Sequence, residues 1–232
     1  MEIYVFSGTG NSLHVARELA SRFLNASLVP IMGILGEKEP KTHAEAVGLV
    51  FPIHAFTIPW PVRVFLENTD FESASYIFAL ATRECVAIVF DDIDKLLKQH
   101  GKNLDAGFSL EMPQNYIPVF DVYSQEAQAR VEASMLESLD SIAQTITDKR
   151  IHCPKDPAWT LPISHGVMPL VSLWFRKVRF PDMARSFYAD DRCTSCGVCE
   201  RVCLNNKIKM KDGKPVWDET VQCTYCFACL HY

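Results

Sequence analysis

Cys193, Cys196, Cys199 and Cys203 are answered thirty residues later by Cys223, Cys226 and Cys229, so seven of the nine cysteines lie in the last forty residues. The first run is C-x2-C-x2-C-x3-C, and the second repeats its first three positions. Three thiolates at two-residue intervals can wrap one corner of an iron–sulfur cubane, with a fourth sulfur supplied from elsewhere in the chain. Structural zinc takes two separated pairs of ligands, and consecutive triplets would leave it surplus thiols. A disulfide framework belongs to small secreted chains, whereas Met-Glu-Ile-Tyr-Val at the N-terminus has no basic segment and no small-residue cleavage site.

Where two such clusters share a domain, the fourth cysteine of each run ligates the other cluster. The set expected for one [4Fe–4S] cluster is therefore Cys203, Cys223, Cys226 and Cys229. Cys193, Cys196 and Cys199 hold the second, and their repeat partner falls at position 233, one past Tyr232. The spacing thus predicts that the natural chain continues with a cysteine. Cys153 is a substitute ligand on paper, although a Cys-Pro pair in a linker reads more plainly as incidental. Clusters of this kind imply a reducing, cytoplasmic, low-oxygen setting.

The elements that position these thiols need a host. At 232 residues the chain has room for one ordinary domain and a small one, and 48% hydrophobic residues support a core upstream of the cysteines. The net charge of −5 gives no footprint for nucleic acid. Ala46 to Val62 carries no charge beyond His54, but Pro52, Pro59 and Pro61 break it and it is shorter than the ~20 residues of a spanning helix. No integral membrane segment is expected.

Ile3 to Phe6 is a short apolar run, followed by Ser7-Gly8-Thr9-Gly10-Asn11-Ser12 and then by Leu13, Val15, Ala16, Leu19, Ala20 and Phe23 at helical spacing. Strand, hydroxyl-rich glycine loop and helix make a phosphate cradle, in which backbone N–H groups and the helix N-terminus face an anion. The loop has no Walker lysine, and Leu13 stands where a dinucleotide fingerprint needs its third glycine. What remains suits a single phosphate monoester. A plain N-cap accounts for one such residue, not six.

This loop, directly after the first strand, resembles the FMN-phosphate loop of flavodoxins. Joined to the downstream cysteine runs, the whole chain resembles the flavodoxin–ferredoxin fusion proteins of anaerobic prokaryotes. The resemblance implies FMN and two [4Fe–4S] clusters as cofactors, with Ser7, Thr9, Gly10, Asn11 and Ser12 at the phosphate. It places His54, Ala55 and Phe56 against the flavin ring, at the C-terminal end of the apolar run Ala46–Phe51. The alternative for this loop is that Phe56 is core and His54 a satisfied loop histidine. The third flavin loop falls at Thr82 and Arg83, where this chain departs from the family by lacking a longer glycine-containing loop. Cys85 there reads as a small buried hydrophobe.

Alternating strand and helix patterns predict a flavodoxin-like, doubly wound α/β domain of five parallel strands over residues 1–150. Its later strands are read at Val29 to Ile34, Ala46 to Phe51, Tyr76 to Ala81 and Ala106 to Met112. Ser124 to Lys149 reads as an amphipathic helix whose buried stripe is Ala127, Val131, Met135, Leu139, Ile142 and Ile146. Met112-Pro-Gln-Asn-Tyr116 also resembles the family at this point, and it reads as a turn that packs the two domains together. Residues 151–186 read as a proline-rich linker, with an apolar helix at Val167 to Phe175. Its basic flank of Arg176, Lys177 and Arg179 would suit a membrane surface, but docking of the small domain is the plainer reading. Residues 187–232 read as a small α+β ferredoxin-like module, with a hairpin turning at Asp212-Gly213. No residues resemble a catalytic triad or paired catalytic carboxylates, so any chemistry belongs to the cofactors. Two functions fit: an electron carrier between redox partner proteins, coupling one- and two-electron steps, or an FMN-dependent reductase of a small molecule or quinone.

Overall fold

The structure, a computed structural model, describes residues 1–82, 89–117, 121–154 and 166–232. Five strands form one parallel sheet: β1 (Glu2–Val5), β2 (Ser27–Pro30), β3 (Ala46–Pro52), β4 (Tyr76–Thr82) and β5 (Ala106–Leu110), in the order β2-β1-β3-β4-β5. This is the flavodoxin-like order, in which the chain reverses direction across the sheet between β1 and β3. The central strands β3 and β4 are buried on both faces, as their near-continuous apolar sequence requires.

Side-chain alternation sends β1 to two cores. Tyr4 and Phe6 pack with α2 (Ile31–Ile34), α3 (Trp60–Asn68) and α4 (Val89–Lys98), while Ile3 and Val5 pack with α1 (Asn11–Ala20) and α5 (Gln125–Thr147). Ser124 caps α5 by accepting a hydrogen bond from the Ala127 N–H. The expected stripe of α5 is buried from Met135 onward, whereas Ala127 and Val131 are half-buried. There the helix overhangs the edge strand β5, leaving a groove of about 530 Å³ lined by Ser109, Tyr123 and Arg130.

Two element readings change. Val29 to Ile34 is not one strand: β2 ends at Pro30, which cannot donate to a ladder, and Ile31–Ile34 is a helical turn. Beyond the sheet, Met168–Trp174 (α6), a π-helical stretch Phe175–Arg179 and Phe180–Arg185 (α7) run on as one helical rod. Phe175, Phe180 and Met183 make the docking contact, and Leu170, Leu173 and Trp174 stay exposed. The docking residues thus lie further along the chain than the apolar segment expected to carry them.

The C-terminal region holds two one-turn helices, α8 (Val198–Arg201) and α9 (Ala228–His231), and the hairpin of β6 (Ile208–Lys211) and β7 (Lys214–Trp217). Asp212 and Gly213 both have positive φ, as a type I′ turn demands. Among the described residues no helix is long and apolar enough to cross a membrane.

Candidate functional site

The loops at the C-terminal ends of β1, β3 and β5 meet the cysteine-rich region. The β1 loop turns at Gly10, whose φ of 110° is open to glycine, and Gly10 is the N-cap of α1. No side chain caps that helix, so its first-turn N–H groups remain open to an acceptor outside the loop. Ser7 makes no side-chain hydrogen bond among the described residues. An uncapped first turn, a free hydroxyl and a helix dipole form a donor set that fits a phosphate monoester.

The other loop side chains are engaged. Ser12 is buried, and its hydroxyl pairs with that of Thr82 at 2.8 Å, which in turn donates to the Phe51 carbonyl. Two candidate residues from distant parts of the chain thus form one support beneath the loop. Asn11 Nδ2 donates to the Pro113 carbonyl at 2.9 Å, and Asn115 Nδ2 donates to Thr9 Oγ1. The segment after β5 therefore clamps the loop after β1, a contact that only topology brings about.

After β3, His54 and Thr57 exchange backbone hydrogen bonds across a tight turn. Ala55 and Phe56 fill its two central positions with φ of 46° and 64°. Such positions favour Asn and Gly, and holding Ala and Phe there stores strain on the order of 1 kcal/mol per residue. The His54 ring packs edge-on against Phe6, and burial pushes its pKa down to about 4, so the imidazole is neutral at pH 7. Arg83 and Cys85 lie outside the described residues.

The two cysteine runs have one backbone. The residues flanking the middle cysteine are left-handed in both: Ser195 and Gly197 around Cys196, Tyr225 and Phe227 around Cys226. A one-turn helix follows each. Three of those four residues are not glycine, a costly geometry that curls each run around its thiols. No disulfide forms among the described cysteines.

Electrostatic coupling sorts the thiols into two sets. Burial, then the neighbouring Cys226 and Cys203, pushes the Cys223 thiol up to about 11. Burial, then Cys226, Cys223 and Cys203, pushes Cys229 up to about 12. Cys199 is raised by burial and by Cys196 and Cys193. Cys203 thus bears electrostatically on the run that follows it in sequence. Among the described residues no three His, Cys, Asp or Glu side chains converge on a point for a single metal ion. A cubane spreads its four ligands over a larger body, and one set of four thiols and one of three fit that donor chemistry.

The runs abut the sheet edge directly. A Cβ added at Gly8 would overlap the Cys226 Cβ and lie 2.8 Å from the Cys226 carbonyl oxygen. The Trp60 indole N–H donates to the Cys223 carbonyl at 2.9 Å, the Tyr232 hydroxyl donates to the Thr9 carbonyl at 3.2 Å, and the His231 ring bonds the Asn115 carbonyl at 2.8 Å. Phe227 packs on Tyr116, Phe180 stacks on Tyr225 at 4.4 Å, and Ala55 borders this cluster. Sequence reasoning misses Gly8 and Trp60 as junction residues, since each looks like an ordinary part of its own element.

No protein-family model matches the sequence, and no curated protein sequence matches it. Among solved structures the chain is similar to an FMN-dependent NADH-azoreductase from Bacillus anthracis in complex with FMN, at 8% identity and a TM-score of 0.39, over 63% of this chain and 99% of that one. It is similar to the Trp repressor binding protein from Bacillus subtilis, at 13% identity and a TM-score of 0.36, over 67% of this chain and 100% of that one. A third is rubredoxin oxygen:oxidoreductase from the anaerobe Desulfovibrio gigas, at 15% identity and a TM-score of 0.34, over 64% of this chain and 36% of that one. The chain therefore spans about a third of that oxidoreductase. The strand order β2-β1-β3-β4-β5 by itself defines the fold class.

Proposed function

We propose that this chain is an electron carrier that holds FMN at the edge of its sheet and two [4Fe–4S] clusters in its C-terminal region, in a reducing, cytoplasmic setting. Bound there, the clusters would supply single-electron exchange, and the flavin would take one or two electrons between redox partner proteins. The observation that carries this reading is the contact between the phosphate-cradle loop at Gly8 and Cys226 of the four-thiol set. A chain with two unrelated sites would have no need to bring them to van der Waals contact.

Ser7 and the first turn of α1 would hold the phosphate, with Thr9, Gly10 and Asn11 shaping the loop and the Ser12–Thr82 pair supporting it from below. His54, Ala55 and Phe56 present a stiff, neutral turn toward the ring position at the β1/β3 reversal. Cys203, Cys223, Cys226 and Cys229 would hold one cluster, and Cys193, Cys196 and Cys199 would supply three ligands to the other. Backbone N–H groups aim at the sulfurs, the Tyr225 N–H at Cys223 Sγ (3.3 Å) among them, and such bonds set cluster potential. Residues 1–150 act as the flavin domain, 151–186 as the connecting and docking segment and 187–232 as the cluster module. Cys226, Tyr232 and Asn115 join the cluster module directly to the flavin loop, which favours the carrier over the reductase.

Anaerobic flash photoreduction of the flavin tests the reading. The flavin should lose its electron as the cluster absorbance bleaches, at a rate independent of protein concentration. A rate proportional to concentration would mean transfer between molecules and would remove the case for a built-in route.

A further inference from the structure

The rod from Met168 to Arg185 uses one side to dock and leaves another uncovered. Val167 is 53% exposed, Leu170 69%, Leu173 45%, Trp174 52% and Val178 45%. Val167, Leu170, Trp174 and Val178 recur at intervals of three and four, so they form one stripe along the rod. Phe180 and Met183 are buried on the docking side instead. Gly166 to Pro181 contains Arg176, Lys177 and Arg179 and no acidic residue, in a chain whose net charge is −5. All three cations are exposed, and none makes an ion pair among the described residues.

We propose that this rod lies on the surface of an anionic lipid bilayer, its aliphatic and indole side chains entering the acyl boundary and its cations meeting lipid phosphates. An amphipathic helix of this length, apolar on one face and basic beside it, is built for that plane, and tryptophan favours the interface. A second copy of the chain is a poor occupant. A two-fold contact through this face would bring together two segments that each carry three cations and no acidic residue to offset them. A folded protein partner would need a complementary patch of about 800 Å² per side, and here a single helix offers only five exposed apolar side chains. A fluid surface needs no such complementarity, and the unpaired cations supply the charge match to anionic headgroups. This inference does not depend on the redox reading.

Vesicle flotation of the full-length protein, loaded with whatever cofactors it retains, tests the proposal. Vesicles of phosphatidylcholine with about one quarter phosphatidylglycerol should carry the protein upward and pure phosphatidylcholine should carry far less, with binding weakened at about 0.5 M salt. Trp174→Ser with Leu170→Ser should reduce flotation roughly tenfold or more. Replacing Arg176, Lys177 and Arg179 by glutamine should abolish the preference for anionic vesicles. All five residues are exposed, so circular dichroism and iron content should match the parent. Absence of flotation with both vesicle types would overturn the proposal, as would flotation that neither variant changes. A self-associating protein that Trp174→Ser turns into a monomer, without vesicle binding in the parent, would assign the face to a second copy and would equally overturn it.

Discussion

Gly8 has no side chain because Cys226 occupies the space where one would be. Gly8→Ala forces one of the two backbones aside, and overpacking of this kind costs about 1–3 kcal/mol. The expected result is faster amide hydrogen exchange across residues 223–232 with the sheet unaffected; unchanged exchange there would show that the two loops do not touch. His54 gives the second prediction at this scale. Its pKa is lowered from 6.5 to about 4 by burial, so the unfolded chain takes up the proton first as pH falls. Its contribution is whole above about pH 6.5 and is lost as pH drops toward about 4. On the order of 1–3 kcal/mol should disappear over that range. Urea midpoints at several pH values should fall less steeply for His54→Gln than for the parent, and parallel slopes would contradict the assignment.

At the scale of elements, the sheet is legible in the sequence. Ala46 to Phe51 and Tyr76 to Ala81 are apolar throughout, and only a parallel strand covered on both faces makes that pattern cheap. Asp212-Gly213 announces the hairpin for the same local reason. The rod at 168–185 is less legible, because composition shows that it is apolar but not which of its sides is covered. The left-handed residues in the cysteine runs are also hidden, since Tyr225 and Phe227 carry no local signal for positive φ. The thiol grouping is testable here. Cys203→Ala should damage the cluster shared with Cys223, Cys226 and Cys229, so its electron paramagnetic resonance changes should match those of Cys226→Ala. A match to Cys196→Ala instead would remove the crossed ligation.

For the whole molecule, the decisive feature is that the C-terminal region sits on the edge of the sheet where the chain reverses direction. The hydroxyl-rich loop and the cysteine runs can each be read alone, because their spacings are local. Their contact cannot, since Trp60 and Cys223, or Thr9 and Tyr232, are separated by most of the chain. Apolar burial at Tyr116, Phe180, Tyr225 and Phe227 drives that docking and leaves no trace in any short window of sequence. The cradle's size adds a prediction about the cofactor. One uncapped helix turn serves a single phosphate, so mass spectrometry of the released flavin should give FMN, and FAD as the dominant species would overturn the reading of the loop.

Cofactor content distinguishes a flavin–cluster carrier from every other reading of this chain. Protein purified and reconstituted without oxygen should be assayed for flavin, iron and acid-labile sulfide per chain. One flavin, with iron and sulfide in equal amounts at about eight of each, is the expected composition for one FMN and two [4Fe–4S] clusters. Zinc in place of iron, or iron and sulfide without any flavin, would contradict the claim that this chain joins the two kinds of redox centre.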